Sequence, residues 1–113
     1  GFGLSTLESM QTGTPIIASS TGGLINQVID VNDGSYNGIC ISPDLKVLAG
    51  NQKIPYIYEE YVTVEKTAYA ILEAYNWDSK TKEKLKDKCI KYVDKEYSYE
   101  NMIITWDNIL ENI

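Results

Sequence analysis

The sequence predicts an α/β domain: the C-terminal half of a doubly wound parallel sheet that ends in a three-helix segment. In the first 45 residues, short and continuously apolar runs alternate with segments of helical periodicity, a pattern typical of parallel strands covered on both faces. Two such strands are too few to bury a parallel sheet by themselves. We therefore expect neighbouring strands to come from sequence upstream of Gly1.

The predicted strands and the short helices between them lie in residues 1–45. Leu4, Leu7 and Met10 recur at helical spacing, and Gly13 with Pro15 stops this helix near residue 12. The elements that follow are a strand at 15–18, a polar loop at 19–23, a brief helix at 24–29, turns at 33–34 and 37–38, and a second strand at 38–41.

Residues 46–62 form a predicted irregular insertion, because glycine, asparagine and proline interrupt any periodicity there. The segment with Tyr56, Tyr58 and Tyr61 is either a strand or an aromatic-rich loop, and we favour the loop. These tyrosines can stack on a sugar or a partner, or cover an exposed edge of the domain, which we favour. Glu59 and Glu60 would face opposite sides of a strand, so we expect solvated carboxylates rather than an acid/base pair.

Residues 63–113 are predicted to be helical. Apolar stripes indicate one helix at about 64–76, a lysine-rich helix from about 79 to 96 that is capped by Asp78 or Ser79, and a last helix capped by Ser98. We expect Trp77 and Trp106 to be core anchors.

Composition excludes several classes of function. The formal net charge is −6, without a concentrated basic stripe, which disfavours binding to nucleic acid. The chain contains no histidine, which removes His-based triads and His-ligated zinc sites from consideration, and we predict no metal-binding residue. Cys40 and Cys89 stand far apart, and we expect them to be reduced and buried in a cytoplasmic protein.

The opening stretch GFGLSTLE carries the strongest functional signal. Gly1 and Gly3 let the main chain approach a ligand, and the free N–H groups of Gly3, Leu4 and Ser5 at a helix start can bind a phosphate or diphosphate. Glu8 lies one turn further on, where its carboxylate can accept hydrogen bonds from the vicinal diol of a ribose. Two simpler interpretations stay open: a purely structural helix start, and a surface glutamate favoured by the helix dipole.

The first 23 residues, GFGLSTLESMQTGTPIIASSTGG, resemble the signature of the GT-B retaining glycosyltransferases of the group 1, or family 4-like, class. The typical motif is a glutamate, GFGL, two variable residues, LEAM, a linker and GTPVIAS with a glycine pair. Two further segments, DVNDGSYNGICISPDL and YSYENMIITWDNIL, are similar to later parts of that family. Here Ser9 replaces the usual alanine, and residues 47–62 depart from the family pattern.

The resemblance implies a Rossmann-like GT-B C-terminal domain, with the donor-site part in residues 1–45. Glu8 matches the family's ribose-binding glutamate. Ser5 lies at a phosphate-contacting position, and the main chain of Gly1, Phe2, Gly3 and Leu4 matches the turn that contacts the donor sugar and the diphosphate. The partner glutamate of the motif would immediately precede Gly1, so the resemblance places no catalytic residue in this chain.

The activity implied is transfer of a sugar from a nucleoside diphosphate sugar to an acceptor hydroxyl, with no further cofactor. The acceptor would bind to an N-terminal domain upstream, so the 113 residues alone are expected to be inactive. Peripheral membrane association of the whole protein and self-association of this segment stay open. The alternatives are a non-catalytic binding or interaction module and a nucleotide-sugar epimerase of the same architecture.

Overall fold

A computed structural model describes residues 2–113 as a mixed α/β structure with parallel and antiparallel strands. Its elements follow the predicted order, apart from a hairpin in the middle of the chain. The elements are α1 (Leu4–Gln11), β1 (Ile16–Ser19), a 3₁₀ turn (Gly22–Leu24), α2 (Ile25–Val28), β2 (Gly38–Ile41), β3 (Leu45–Asn51), β4 (Ile54–Tyr61), α3 (Val64–Tyr75), α4 (Ser79–Tyr97) and α5 (Tyr99–Glu111).

The predicted parallel strand pair is confirmed. Strands β1 and β2 pair in parallel, with Ile16 opposite Gly38 at one end and Ser19 opposite Ile41 at the other. The two strands approach so closely that a Cβ atom on Gly38 would lie 1.9 Å from the carbonyl oxygen of Ile16. Only glycine fits at this position, which explains its place at the start of β2.

The core lies between this strand pair and helices α1, α2 and α4. It is built from the apolar sides of these elements, so the lysine-rich α4 buries one face and exposes the other. Its fully or nearly fully buried members are Met10, Ile16, Ala18, Val28, Cys89, Tyr92 and Val93.

The expectation of an irregular segment at 46–62 with a loop around the tyrosines is wrong. Strands β3 and β4 form an antiparallel hairpin, with Leu45 opposite Tyr61 and Leu48 opposite Tyr58. The side chain of Asn51 closes the turn by accepting hydrogen bonds from the N–H groups of Lys53 (2.8 Å) and Ile54 (3.0 Å). The hairpin is stabilised by cross-strand pairs and by these side-chain hydrogen bonds, neither of which leaves a periodic pattern in the sequence.

The hairpin side chains are exposed on both faces. Tyr56, Tyr58 and Tyr61 are each at least half exposed, so the expectation that they cover an edge of the domain is wrong for residues 2–113. Glu59 and Glu60 do face opposite sides, as predicted: Glu59 accepts a hydrogen bond from the Tyr61 hydroxyl, and Glu60 lies 3.9 Å from the Lys46 ammonium.

Asp44 anchors the base of the hairpin to α3. Its carboxylate accepts hydrogen bonds from the Thr63 N–H (3.0 Å) and the Lys66 ammonium (2.6 Å), while its own N–H donates to the Tyr61 carbonyl (2.8 Å). The hydrogen bond from Lys66 lowers the pKa of the Asp44 carboxyl. A carboxyl with a lowered pKa stabilises the folded state above its unfolded-state pKa and loses this effect as the pH falls through the lowered value.

We expect Asp44→Ala to loosen the hairpin without unfolding the core. Backbone amide NMR relaxation should show larger motion in β3 and β4 but unchanged β1 and β2. Acid that protonates Asp44 should also loosen the hairpin of the unmodified chain, together with the other contacts made by carboxylates of lowered pKa, such as Asp33 and Asp78. Asp33→Ala is the matched control, because Asp33 bonds within its own loop. An equally mobile hairpin in that control would contradict the anchoring role of Asp44.

The three predicted C-terminal helices are present, but two of them are largely uncovered in residues 2–113. Helix α3 buries only Ala70, and α5 has no buried residue. Trp106 is 57% exposed and is not a core anchor, whereas Trp77 is half-buried. Helix periodicity identified the apolar side of α5 but not what covers it.

Candidate functional site

Helix α1 begins at a glycine in the left-handed conformation. Gly3 has φ 83° and ψ 57°, and a Cβ atom there would lie 2.9 Å from Cδ2 of Leu24. No side chain caps the helix, and no acceptor in residues 2–113 bonds the N–H groups of Leu4, Ser5 or Thr6. These donors and the positive end of the helix dipole make the start of α1 suitable for an anion.

The predicted site residues that the structure describes lie together on the first two turns of α1 and the residues before it. Leu4, Ser5 and Glu8 are exposed, and Phe2 is about half exposed. Leu4 and Glu8 are four residues apart and so share one face of the helix. Within residues 2–113, the Glu8 carboxylate has no hydrogen-bond partner and is free to accept one from a ligand. Gly1 lies outside the described residues.

Two residues that sequence reasoning missed hold this turn in place. The Gln27 side-chain amide is buried and donates to the carbonyl of Phe2 (2.5 Å). The Thr6 hydroxyl lies between the Gly3 carbonyl (2.6 Å) and the Gln27 side-chain oxygen, and donates its one hydrogen to either. The sequence feature that could have pointed to Gln27 is its position within the short, mostly apolar segment LINQVI.

Two tyrosines of helix α4 also hold the residues around the start of α1 in place. The hydroxyls of Tyr92 and Tyr97 both donate to the main-chain carbonyl of Asn26, at 2.5 and 2.9 Å. Burial raises the pKa of Tyr92 and of Tyr97, so both stay protonated as donors at neutral pH. The Phe2 ring packs edge-on against Tyr97, with centroids 5.7 Å apart. The turn before α1 is thus tied to α2 by Gln27 and to α4 by Tyr97.

The cysteines have no role in this site. Burial raises the pKa of the Cys89 thiol to about 11, so it is protonated and donates to the Asn37 carbonyl (3.2 Å). Cys40 is half-buried rather than buried, and both cysteines are free. In residues 2–113, no cluster of acidic and cysteine side chains could hold a metal ion. In the same part of the chain, no helix combines the length and hydropathy needed to cross a membrane.

The expectation that the chain lacks a concentrated basic stripe is wrong for α4. This helix carries seven of the ten lysines, and four of them line one shallow cavity. The net charge does not reveal the stripe, because the acidic residues of the chain, four of them on α4 itself, outnumber the lysines. It lies away from the start of α1, beside the loop that precedes β2.

We expect Gln27→Leu to destabilise the turn before α1. The substitution leaves the Phe2 carbonyl without its buried donor, which costs about 1–3 kcal/mol. Denaturant unfolding measures this loss. Asn26→Leu is the matched control, because Asn26 is an exposed neighbour whose main-chain carbonyl, not its side chain, makes the described contacts. Equal losses in the two variants would show that Gln27 does not hold the turn.

Helix α1, whose start offers free N–H groups, precedes the parallel strand pair β1 and β2 in the chain. Comparison with known proteins adds one relationship. The chain is 32% identical over 87 residues to an uncharacterized glycosyltransferase of Methanocaldococcus jannaschii, a match that covers 73% of this chain and 21% of the relative. The chain thus spans about a fifth of that relative's length. No family model and no solved structure matches the chain. The similarity supports a relationship to glycosyltransferases at a coarse level.

Proposed function

We propose that this chain is part of a GT-B retaining glycosyltransferase and contributes the ribose and diphosphate contacts of its nucleotide-sugar donor site. The observation that carries the proposal is the structure of GFGLSTLE: free N–H groups follow a left-handed Gly3, and an unpartnered Glu8 lies on the next turn. The relationship to a glycosyltransferase supports it independently of the geometry.

The start of α1 would bind the diphosphate. The N–H groups of Leu4 and Ser5 and the Ser5 hydroxyl are donors at the positive end of the helix dipole, where a doubly charged leaving group is stabilised. The main chain of Gly1, Phe2 and Gly3 would contact the donor sugar. Because Gln27 and Tyr97 fix this turn, its donors are oriented before the charge develops, which is the main electrostatic contribution to catalysis in such a cleft.

Glu8 would orient the nucleoside. A carboxylate in contact with the diphosphate would be repelled, but at one helical turn from the N–H groups it can accept hydrogen bonds from both hydroxyls of a ribose. Such charge-assisted bonds are stronger than those between neutral groups. Glu8 is therefore proposed to bind the donor and to take no part in bond cleavage.

Other parts of the enzyme would complete the cleft. Within residues 2–113, β1 pairs only with β2, so its other edge can accept the strand that precedes the GFGL turn. The second glutamate of the family motif would lie immediately before Gly1 and face the transferred sugar. The exposed apolar side of α5 would pack against the rest of the protein, including an N-terminal acceptor domain. The 113 residues alone are proposed to lack activity.

Donor hydrolysis by the full-length protein tests the proposal without knowledge of the acceptor. We expect slow release of the nucleoside diphosphate from UDP-, GDP- or ADP-glucose or -mannose, because water can replace the acceptor hydroxyl. NMR of the sugar product distinguishes an epimerase, which would invert a ring carbon. Failure to bind or cleave any of these donors would instead favour the non-catalytic module.

A further inference from the structure

A row of lysines runs along one exposed side of α4. The row contains five lysines. At 100° per residue, their positions fall within about 80° of the helix circumference and extend over roughly 22 Å along the helix axis. Four of them line the same shallow cavity of about 540 Å³, which confirms that they share a face. The lysine row consists of Lys80, Lys84, Lys88, Lys91 and Lys95.

No carboxylate in residues 2–113 forms an ion pair with the lysine row. The two ion pairs found there belong to Lys46 and Lys66. The row's two described hydrogen bonds go to neutral oxygens: the hydroxyl of Ser35 for Lys88, and the side-chain amide oxygen of Asn32 for Lys95 (3.0 Å). The positive charge of the row is therefore not cancelled by direct contact.

Four carboxylates lie close to the row: those of Asp30, Asp33 and Asp87 line its cavity, and that of Glu96 accepts a hydrogen bond (3.0 Å) from Asn32, the side chain that also bonds Lys95. Asp30 accepts hydrogen bonds from Asn32 (2.9 Å), and Asp33 from Ser35 (2.8 Å), so these two are bonded within the loop that precedes β2. The carboxylates make the local potential less positive, but within residues 2–113 Lys80, Lys84 and Lys91 make no hydrogen bond or ion pair and can reach outward.

Two exposed apolar side chains lie on the same loop. Val31 is 55% exposed and Tyr36 is 54% exposed, and Tyr36 lines a cavity together with Lys84 and Lys88. Val31 lies in the chain between Asp30 and Asn32, which line the cavity of the row. Lysines beside an exposed tyrosine, with an exposed aliphatic residue on the same loop, suit the boundary between lipid headgroups and acyl chains. Nucleic acid fits less well, because the chain has no arginine for bidentate phosphate contacts and an exposed valine gains nothing from a phosphate backbone.

We propose that the lysine row, with Val31 and Tyr36, docks on the surface of a lipid bilayer rich in anionic headgroups. The inference does not depend on the donor-site assignment, because the row lies beside the loop at the amino-terminal end of β2, whereas ligand sites lie at the carboxyl ends of parallel strands. Contact through this face therefore leaves the start of α1 unobstructed.

Co-sedimentation with vesicles tests the proposal. We expect the chain to bind vesicles of phosphatidylglycerol and phosphatidylcholine at low salt and not vesicles of phosphatidylcholine alone. Lys84→Gln with Lys91→Gln should weaken this partition about tenfold or more. The matched control, Lys53→Gln with Lys82→Gln, removes the same charge from exposed positions outside the row and should change it less than about twofold.

Val31→Ser separates insertion from simple charge attraction. It should weaken vesicle binding severalfold while the net charge stays the same. The proposal is overturned if the anionic vesicles are not bound, if the two lysine pairs have equal effects, or if the row is needed for binding to RNA or heparin but not to vesicles. Circular dichroism of every variant ensures that a loss of binding is not a loss of fold.

Discussion

Gly38→Ala is expected to abolish cooperative folding, or to lower the free energy of unfolding by more than about 4 kcal/mol. A methyl group at this position would lie 1.9 Å from the Ile16 carbonyl oxygen and 2.8 Å from the Ile16 nitrogen. The obstacle is backbone rather than a flexible side chain, so β1 and β2 must separate to make room. Thermal unfolding followed by circular dichroism measures the effect.

Gly34→Ala provides the control for this substitution. Gly34 has φ 74°, and nothing lies within 4 Å of the position of its Cβ atom. Alanine there should cost only the left-handed backbone conformation, roughly 1–2 kcal/mol. If Gly38→Ala were no more destabilising than Gly34→Ala, the close pairing of β1 with β2 would be wrong.

Glu8→Gln should weaken binding of a ribonucleoside diphosphate to the full-length protein by about 10- to 100-fold. The estimate follows from the loss of charge-assisted hydrogen bonds worth about 1.5–3 kcal/mol. Because Glu8 is exposed and makes no hydrogen bond within residues 2–113, its substitution should leave the unfolding transition unchanged. Isothermal titration calorimetry measures the affinity.

Glu83→Gln is the matched control for Glu8→Gln, since it makes the same change at an exposed position on α4. It should leave nucleotide affinity within about twofold of the original value, because exposed charges more than a Debye length away are largely screened. A similar loss in both variants would indicate a general effect of net charge rather than a contact from Glu8.

Local signals predicted most of the elements correctly. The caps at Asp78 and Ser98 form as expected: each side chain accepts a hydrogen bond from the N–H three residues later, at 2.7 Å for Asp78 and 3.1 Å for Ser98. Strands β1 and β2 could be predicted from their continuous apolar runs. A strand that is covered on both faces of a parallel sheet is apolar along its length whichever strand it pairs with.

Features that depend on residues far apart in the sequence were missed. The β3–β4 hairpin rests on cross-strand pairs such as Leu48 with Tyr58, which no helical or alternating pattern marks. The bond from Gln27 to Phe2 joins positions 25 residues apart. The exposure of Trp106 depends on what packs against α5, and periodicity alone does not reveal that.

The most direct test of the donor-site proposal is a titration of the full-length protein with UDP, GDP and ADP and with their 2′-deoxy analogues. We predict that at least one ribonucleotide binds, that its 2′-deoxy analogue binds about tenfold more weakly, and that Glu8→Gln removes this difference. The proposal is contradicted if none of the nucleotides binds, if the ribo and deoxy forms bind equally, or if Glu8→Gln keeps the discrimination.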